Sequence, residues 1–229
     1  MCHSISMIAP RSNADQDVIC LLRTARVIFW DFDGVIKDSV TAKSDGFEQL
    51  FLPYGKEVAS RVREHHEANG GVSRYEKIPV YLSWAGESVT GPTVQEFCDR
   101  FSNLVLQAVI DSPWVPGVRE YLQKEHLHQP FVLLSATPQE EIQHILEALN
   151  IASCFQAVHG APMSKAAAIC DELRHLQCPA KAGLVVGDSA TDMLSAQTNG
   201  VPFLLRRTPI NRELQRQYSG ASFESLNYE

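Results

Sequence analysis

Short apolar runs alternating with helical stripes constrain this chain more than any other feature. Val27–Trp30, Phe131–Leu134, Phe155–Val158, Gly183–Val186 and Phe203–Leu205 are compact apolar stretches, the pattern of strands buried on both faces. Helical patterns fill the intervals between the last four. Ile142, Ile145, Leu146 and Leu149 recur at i, i+3, i+4 and i+7, behind Thr137 as N-cap, Pro138 in the first turn and Glu140 three residues on. Ser164 can cap a helix carrying Ile169, Leu173 and Leu176, and Asn199-Gly200 should stop one carrying Met193, Leu194 and Gln197. Strands alternating with helices predict an α/β chain with a parallel sheet and helices on both faces.

The first strand breaks the rhythm. About 100 residues separate Trp30 from Phe131, far more than the dozen or so that one crossover needs. Helical patterns occupy the gap, around Phe47, Leu50 and Phe51, around Val58, Val62 and His65, around Tyr75, Ile78 and Leu82, and from Val94 to Val105. Pro53-Tyr54-Gly55, Asn69-Gly70-Gly71 and Gly91-Pro92 punctuate them, and Pro113 and Pro116-Gly117 mark the return. The expected organisation is a core of residues 1–40 plus 113–229 and an inserted α-helical unit of residues 41–112.

Charge and cysteine usage narrow the class. Lys and Arg number 20 against 27 Asp and Glu, a net charge of −7 with no basic tract, so no nucleic-acid partner is expected. The six cysteines, Cys2, Cys20, Cys98, Cys154, Cys170 and Cys178, show no metal-type spacing and read as scattered thiols of a reducing compartment. No apolar run approaches the roughly 20 residues of a membrane span. Met1–Ala25 lacks the basic start and apolar core of a signal peptide, so a cytoplasmic location and no membrane partner are expected. Oligomeric state is not legible.

Chemistry gathers where the strands end. Asp31 and Asp33 close the first run before Gly34; in an extended strand, residues two apart share a face, so the two carboxylates should project together. Such a pair fits a metal site, a nucleophile with a proton donor, or both, and fits equally a strand that simply ends in an acidic turn. The second run ends in Ser135-Ala136-Thr137, the third leads to Lys165 and the fourth ends in Gly187-Asp188 with Asp192 following. Singly, each has an ordinary structural explanation; together they form a ring at the carboxyl ends of the strands, where open parallel sheets bind ligands.

The runs DFDGVIKDS, LLSATP, PMSKAAA and VVGDSATD resemble, in order and spacing, the four motifs of the haloacid dehalogenase superfamily in its phosphatase branch. The resemblance implies a Rossmann-like core with a helical cap inserted after the first motif. It further implies Asp31 as nucleophile, Asp33 as general acid and base, Ser135 as a phosphoryl hydrogen-bond donor and Lys165 as a charge-balancing cation. Mg²⁺ would be held by Asp31, the backbone carbonyl of Asp33 and Asp188, with Asp192 orienting Lys165 or a metal-bound water. Gly34 and Ala136 would line the substrate site, and the partner would be a small phosphorylated metabolite.

Asp33 argues against the dehalogenase and phosphonoacetaldehyde hydrolase branches, which lack an acid there. Gly71-Val72-Ser73-Arg74 resembles the GVSR loop of β-phosphoglucomutase, whose arginine grips a distal anion; Arg74 is otherwise a first-turn surface residue. A phosphomutase is therefore the alternative to a phosphatase, although the single acid after Gly187 resembles the phosphatase form. Lys77 is expected in solvent, His159 in a structural role, and Arg206 and Arg207 at the solvated surface. Lys43, Phe47 and Trp84 are candidates for the cleft. Phosphoglycolate, sugar phosphates and a sugar-nucleotide pathway intermediate all remain open as substrate.

Overall fold

In the computed structural model, residues 13–226 are described; Cys2 and the first half of the stretch read for a signal peptide lie outside the described residues. The strands are β1 (Val27–Asp31), β2 (Phe131–Pro138), β3 (Ala157–Ala161), β4 (Gly183–Gly187), β5 (Phe203–Arg206) and β6 (Ser222–Phe223). All pair in parallel in the order β3-β2-β1-β4-β5-β6. The chain leaves β1 toward β2 on one side, and β4 then takes its other side. That reversal opens a crevice above the strand ends at β1 and β4.

Alternation along β1 feeds two cores. Ile28 and Trp30 pack with Tyr121, Phe131 and Leu133 on one face, and Val27 and Phe29 with Ile169, Val185 and Leu205 on the other. These four apolar side chains of β1 are fully buried. Burying side chains of this kind stabilises by about 1.5–3 kcal/mol each, which explains why the run carries no polar residue before Asp31.

Helix α1 (Asn13–Thr24) precedes β1. Between β1 and β2 come α2 (Val40–Phe51), α3 (Lys56–Ala68), α4 (Arg74–Trp84), α5 (Gly91–Asp111) and α6 (Val118–Glu125). Helices α2 to α5 form the inserted cap, and its aromatic side chains pack on one another within the same buried cluster that holds Ile28 and Trp30. Phe47 stacks on Phe101 with centroids 3.8 Å apart, and Phe51 meets Tyr81 edge-on at 5.6 Å. The core continues with α7 (Gln139–Ala148), α8 (Lys165–His175), α9 (Ala190–Thr198) and α10 (Arg212–Gln217). Ser164 caps α8 and Asn199 ends α9 before Gly200, as their sequence implies.

Three expectations need correction. Thr137 is not an N-cap: β2 runs on through Pro138, and α7 starts at Gln139. Between Leu134 and Pro138, β2 spends four steps against two on β3, a bulge that no propensity announces. The third strand starts at Ala157 rather than Phe155, because Ala152–Cys154 form a short 3₁₀ turn and Phe155 caps it. The acidic pair does not share a strand, since β1 stops at Asp31 and a turn follows. Cys20, Cys98, Cys154, Cys170 and Cys178 are free thiols, and no helix among the described residues is long and apolar enough to cross a membrane.

Candidate active site

A cavity of about 340 Å³ lies at the strand ends, under the cap, with Asp31, Asp33, Lys165 and Asp188 in its wall. Strand β1 delivers Asp31 and the turn behind it delivers Asp33. The carbonyl of Phe32 accepts the amides of Val35, Ile36 and Lys37 at 2.9–3.3 Å, winding the chain back tightly. Gly34 allows this in two ways. Its φ of +78° is left-handed, and a Cβ there would stand 2.2 Å from Asp188 Oδ2. Gly34 thus lets the Asp188 carboxylate approach the turn.

Lys165 opens α8 beside its Ser164 cap and reaches back under the sheet ends. Its Nζ donates to Asp31 Oδ1 and to Asp192 Oδ1, both at 2.6 Å. Asp192 is fixed by the capping box of α9, its Oδ2 accepting from the Ser189 amide at 3.1 Å and the Ser189 hydroxyl at 2.6 Å. Asp192 thus links Lys165 to the start of α9. Burial disfavours the Lys165 charge, but Asp192 and Asp31 outweigh it and raise its pKa, so it stays cationic.

The acids are under-compensated. Burial first, then the charge of Asp192, pushes the Asp31 carboxyl up to about 7 despite Lys165, and burial with Asp31 and Asp192 lifts Asp188 well above the usual carboxylate range. Carboxylate oxygens of Asp31, Asp188 and Asp192 lie within 4.8 Å of one another. Both Asp192 oxygens are engaged by Lys165 and Ser189, which leaves Asp31 and Asp188 for a cation. An all-oxygen set with one ammonium against three carboxylates suits a hard divalent ion such as Mg²⁺.

Asp33 is held differently. Ser39 donates to its Oδ1 at 2.7 Å, and Lys43 of α2 donates to its Oδ2 and to Thr137 Oγ1, the latter at 2.7 Å. Burial alone would raise the Asp33 pKa; the Lys43 charge and hydrogen bond, with Ser39, bring it below the ordinary value. Ala136 and Thr137 line the cavity through the β2 bulge. Ser135 is buried, and its hydroxyl accepts the Thr137 amide at 3.1 Å.

In the cap, Arg74 lines the cavity but is paired with Glu141 of α7, at 2.6 Å and 2.8 Å, and with Ser102 at 2.5 Å. Lys43 and Phe47 face the cleft, whereas Trp84 packs against His65 and the Arg61 guanidinium outside it. Lys77 is buried rather than solvated, because α4 turns its Arg74, Lys77, Ile78 and Tyr81 stripe inward. Arg206 is likewise buried and pairs with Asp38 at 3.3 Å, while Arg207 is exposed. His159 bonds to Glu172 at 2.8 Å and does not line the cavity.

No sequence signal marks His66 and Asn211 as site residues, and Thr137 reads in the sequence as a strand end and helix cap rather than as a partner of Lys43. Asn211 Nδ2 donates to the Asp188 carbonyl at 2.6 Å and the Arg206 carbonyl at 2.8 Å, tying the start of α10 to the fourth motif. The i, i+3, i+7 stripe of Arg74, Lys77 and Tyr81 was a readable signal for an inward Lys77. Asn211 stands just before α10, an ordinary helix-start position for Asn, and nothing local points it at Asp188.

The sequence profile described as haloacid dehalogenase-like hydrolase matches residues 27–205, from the first residue of β1 into β5. The chain belongs to this family. Haloacid dehalogenase-like relatives include a phosphoglycolate phosphatase of Photorhabdus laumondii, 28% identical over 192 residues, covering 80% of this chain and 80% of that protein. A phosphoglycolate phosphatase of Pseudomonas fluorescens is 24% identical over 185 residues, 78% of this chain and 68% of that one. Among solved structures, β-phosphoglucomutase from Clostridium difficile superposes with a TM-score of 0.69 at 16% identity, covering 89% of this chain and 92% of its own. The last likeness shows the shared fold, a parallel core with an inserted helical cap. Within the haloacid dehalogenase-like family the enzyme is a phosphoric monoester hydrolase.

Proposed function

We propose that this phosphatase is Mg²⁺-dependent and hydrolyses a small monoester of the phosphoglycolate or sugar phosphate type through a phosphoryl-Asp31 intermediate. The observation that carries the reading is the setting of Asp31: buried, in the cavity wall, with one oxygen fixed by Lys165 at 2.6 Å. A carboxylate so held attacks phosphorus with little freedom to lose, and the acyl phosphate it forms is readily hydrolysed. Mg²⁺ bound by Asp31 and Asp188 would neutralise charge on the phosphoryl oxygens.

Asp33 serves both halves of the reaction, giving a proton to the leaving alkoxide and then taking one from the attacking water. With Lys43 and Ser39 upon it, Asp33 is in its base form. Donation in the first half therefore requires Asp33 first to take up a proton, from water or from the monoanionic phosphate ester, which loosening of the Lys43 contact as substrate enters would favour. The two phosphoglycolate phosphatases among the relatives support the substrate class. The mutase alternative leans on Arg74 as an anion grip, and Glu141 already occupies that guanidinium.

Phosphate release from p-nitrophenyl phosphate and phosphoglycolate, with Mg²⁺ and with EDTA, tests the reading. Asp31→Asn is expected to cost about a thousandfold or more in kcat with an unchanged circular dichroism spectrum. Turnover retained in that variant would remove Asp31 from the nucleophile role. Silence on all monoesters, with a hexose 1-phosphate isomerised when a bisphosphate primer is added, would replace hydrolysis by the mutase reaction.

A further inference from the structure

Three cationic side chains from the cap line the cavity: Lys43, Arg74 and Lys77. Two are answered by carboxylates, Lys43 by Asp33 and Arg74 by Glu141. Lys77 is not. It is 2% exposed, makes no ion pair among the described residues, and its Nζ meets His66 Nδ1 at 3.0 Å. His66 is also buried in the cavity wall, and burial followed by the nearby Lys77 charge holds its pKa well below the usual imidazole range. A neutral ring can accept from Lys77 through Nδ1 and keep its remaining N–H for another partner.

Lys43 and Arg74, the other two cations of the cavity wall, each carry a carboxylate counter-charge, and buried Lys37 outside the cavity is held by the Ile110 carbonyl and the Trp114 ring; Lys77 has only the imidazole. Without a counter-charge, burial and then repulsion from Lys43 bring the Lys77 amine down to about 7, although Asp33 pulls the other way. An anion set against the amine would restore its full charge and repay the desolvation. The cavity, at about 340 Å³, sits at the small end of ligand sites and suits a compact ester with two charged ends. The phosphoryl end belongs with Asp31, Asp188 and Lys165 on the core side, and the cap supplies the other.

We infer that Lys77, backed by His66, receives a second anionic group of the substrate, so that the natural ester is a small phosphate monoester bearing a carboxylate or a second phosphate. The inference rests on the phosphatase reading. It moves the anion grip from Arg74 to a residue one turn further along α4.

The test compares kcat/KM for 2-phosphoglycolate, ethyl phosphate and ethylene glycol bisphosphate in the wild type and in Lys77→Met and Lys77→Arg. A wild-type preference of about tenfold or more for a charged-tail ester over ethyl phosphate is expected, because a site built for a charge rejects analogues that lack it. Lys77→Met should reduce that preference about tenfold, chiefly through KM, and Lys77→Arg should restore part of it. Preference for phosphoglycolate identifies a carboxylate as the second group, and preference for the bisphosphate identifies a phosphate. Wild-type hydrolysis of all three esters with equal efficiency overturns the inference and leaves the phosphatase standing, without reliance on any variant folding. A charged-tail preference that survives intact in a folded Lys77→Met also overturns it. Hydrolysis of none of the three brings down the phosphatase reading and the inference together.

Discussion

Lys77 and Arg74 stand one turn apart on α4, and their surroundings set different costs. Arg74 is 4% exposed but meets Glu141 through two hydrogen bonds, so its charge is matched. Lys77 has an imidazole for a neighbour, and burial leads the causes that lower its pKa from 10.5 to about 7. Between those two values the unfolded chain binds the proton that the folded chain releases, so this group makes stability fall as pH drops from about 10.5 toward 7. Lys77→Met removes that slope. We expect a gain on the order of 2 kcal/mol at pH 7, shrinking toward nothing above pH 10, read from thermal unfolding across that range. A gain independent of pH would mean that Lys77 is not desolvated as described.

Besides the Lys43 contacts with Asp33 and Thr137, two joins between separate elements hold the cap over the core. The Gly70-Gly71 turn after α3 lies on the start of α9, where Thr191 donates to the Gly70 carbonyl at 3.0 Å. A Cβ on Gly71 would stand 2.6 Å from Ser189 Oγ, and the residue has a φ of +78°, so glycine is needed for this approach. The second join is Arg74 of α4 with Glu141 of α7, whose side chains are 3% and 10% exposed. Breaking one partner of such a pair leaves a buried charge uncompensated. Glu141→Gln is expected to lose about 3 kcal/mol in urea unfolding, with exposed Glu140→Gln as a near-neutral control. Equal losses in the two variants would show that the Arg74 contact contributes no more than a surface pair.

The whole molecule concentrates its acids where the strand order reverses. A parallel sheet brings the ends of β1 and β4 side by side, so Asp31 and Asp188 meet from positions 157 residues apart along the chain (188 minus 31). With Asp192 they place three carboxylates around one ammonium, an arrangement that a bound divalent cation relieves. Mg²⁺ at about a hundred times its dissociation constant should stabilise the fold by about 2.7 kcal/mol, visible as a rise in Tm that EDTA reverses. Asp188→Asn should abolish most of the rise. If Mg²⁺ raises Tm equally in both, it acts elsewhere on this acidic chain.

Most of the framework is legible in the chain itself. Buried parallel strands must be apolar throughout, so β1, β2, β4 and β5 stand out as short runs, and a helical interval too long for one crossover marks an insertion. Asp31, Lys165, Asp188 and Asp192 are readable because each sits at the end of a strand or the start of a helix, positions that local pattern locates well. What no local pattern carries is convergence. The β2 bulge replaces a helix cap at Thr137 with a strand residue facing Lys43, and β6 is too short to announce itself. Arg74 finds Glu141 across 67 residues, Lys77 loses the solvent, and Asn211 reaches Asp188 from a loop. Sequence periodicity determines which side of its own element a residue occupies; only the tertiary structure decides what stands opposite, because packing brings together charges that the chain keeps far apart.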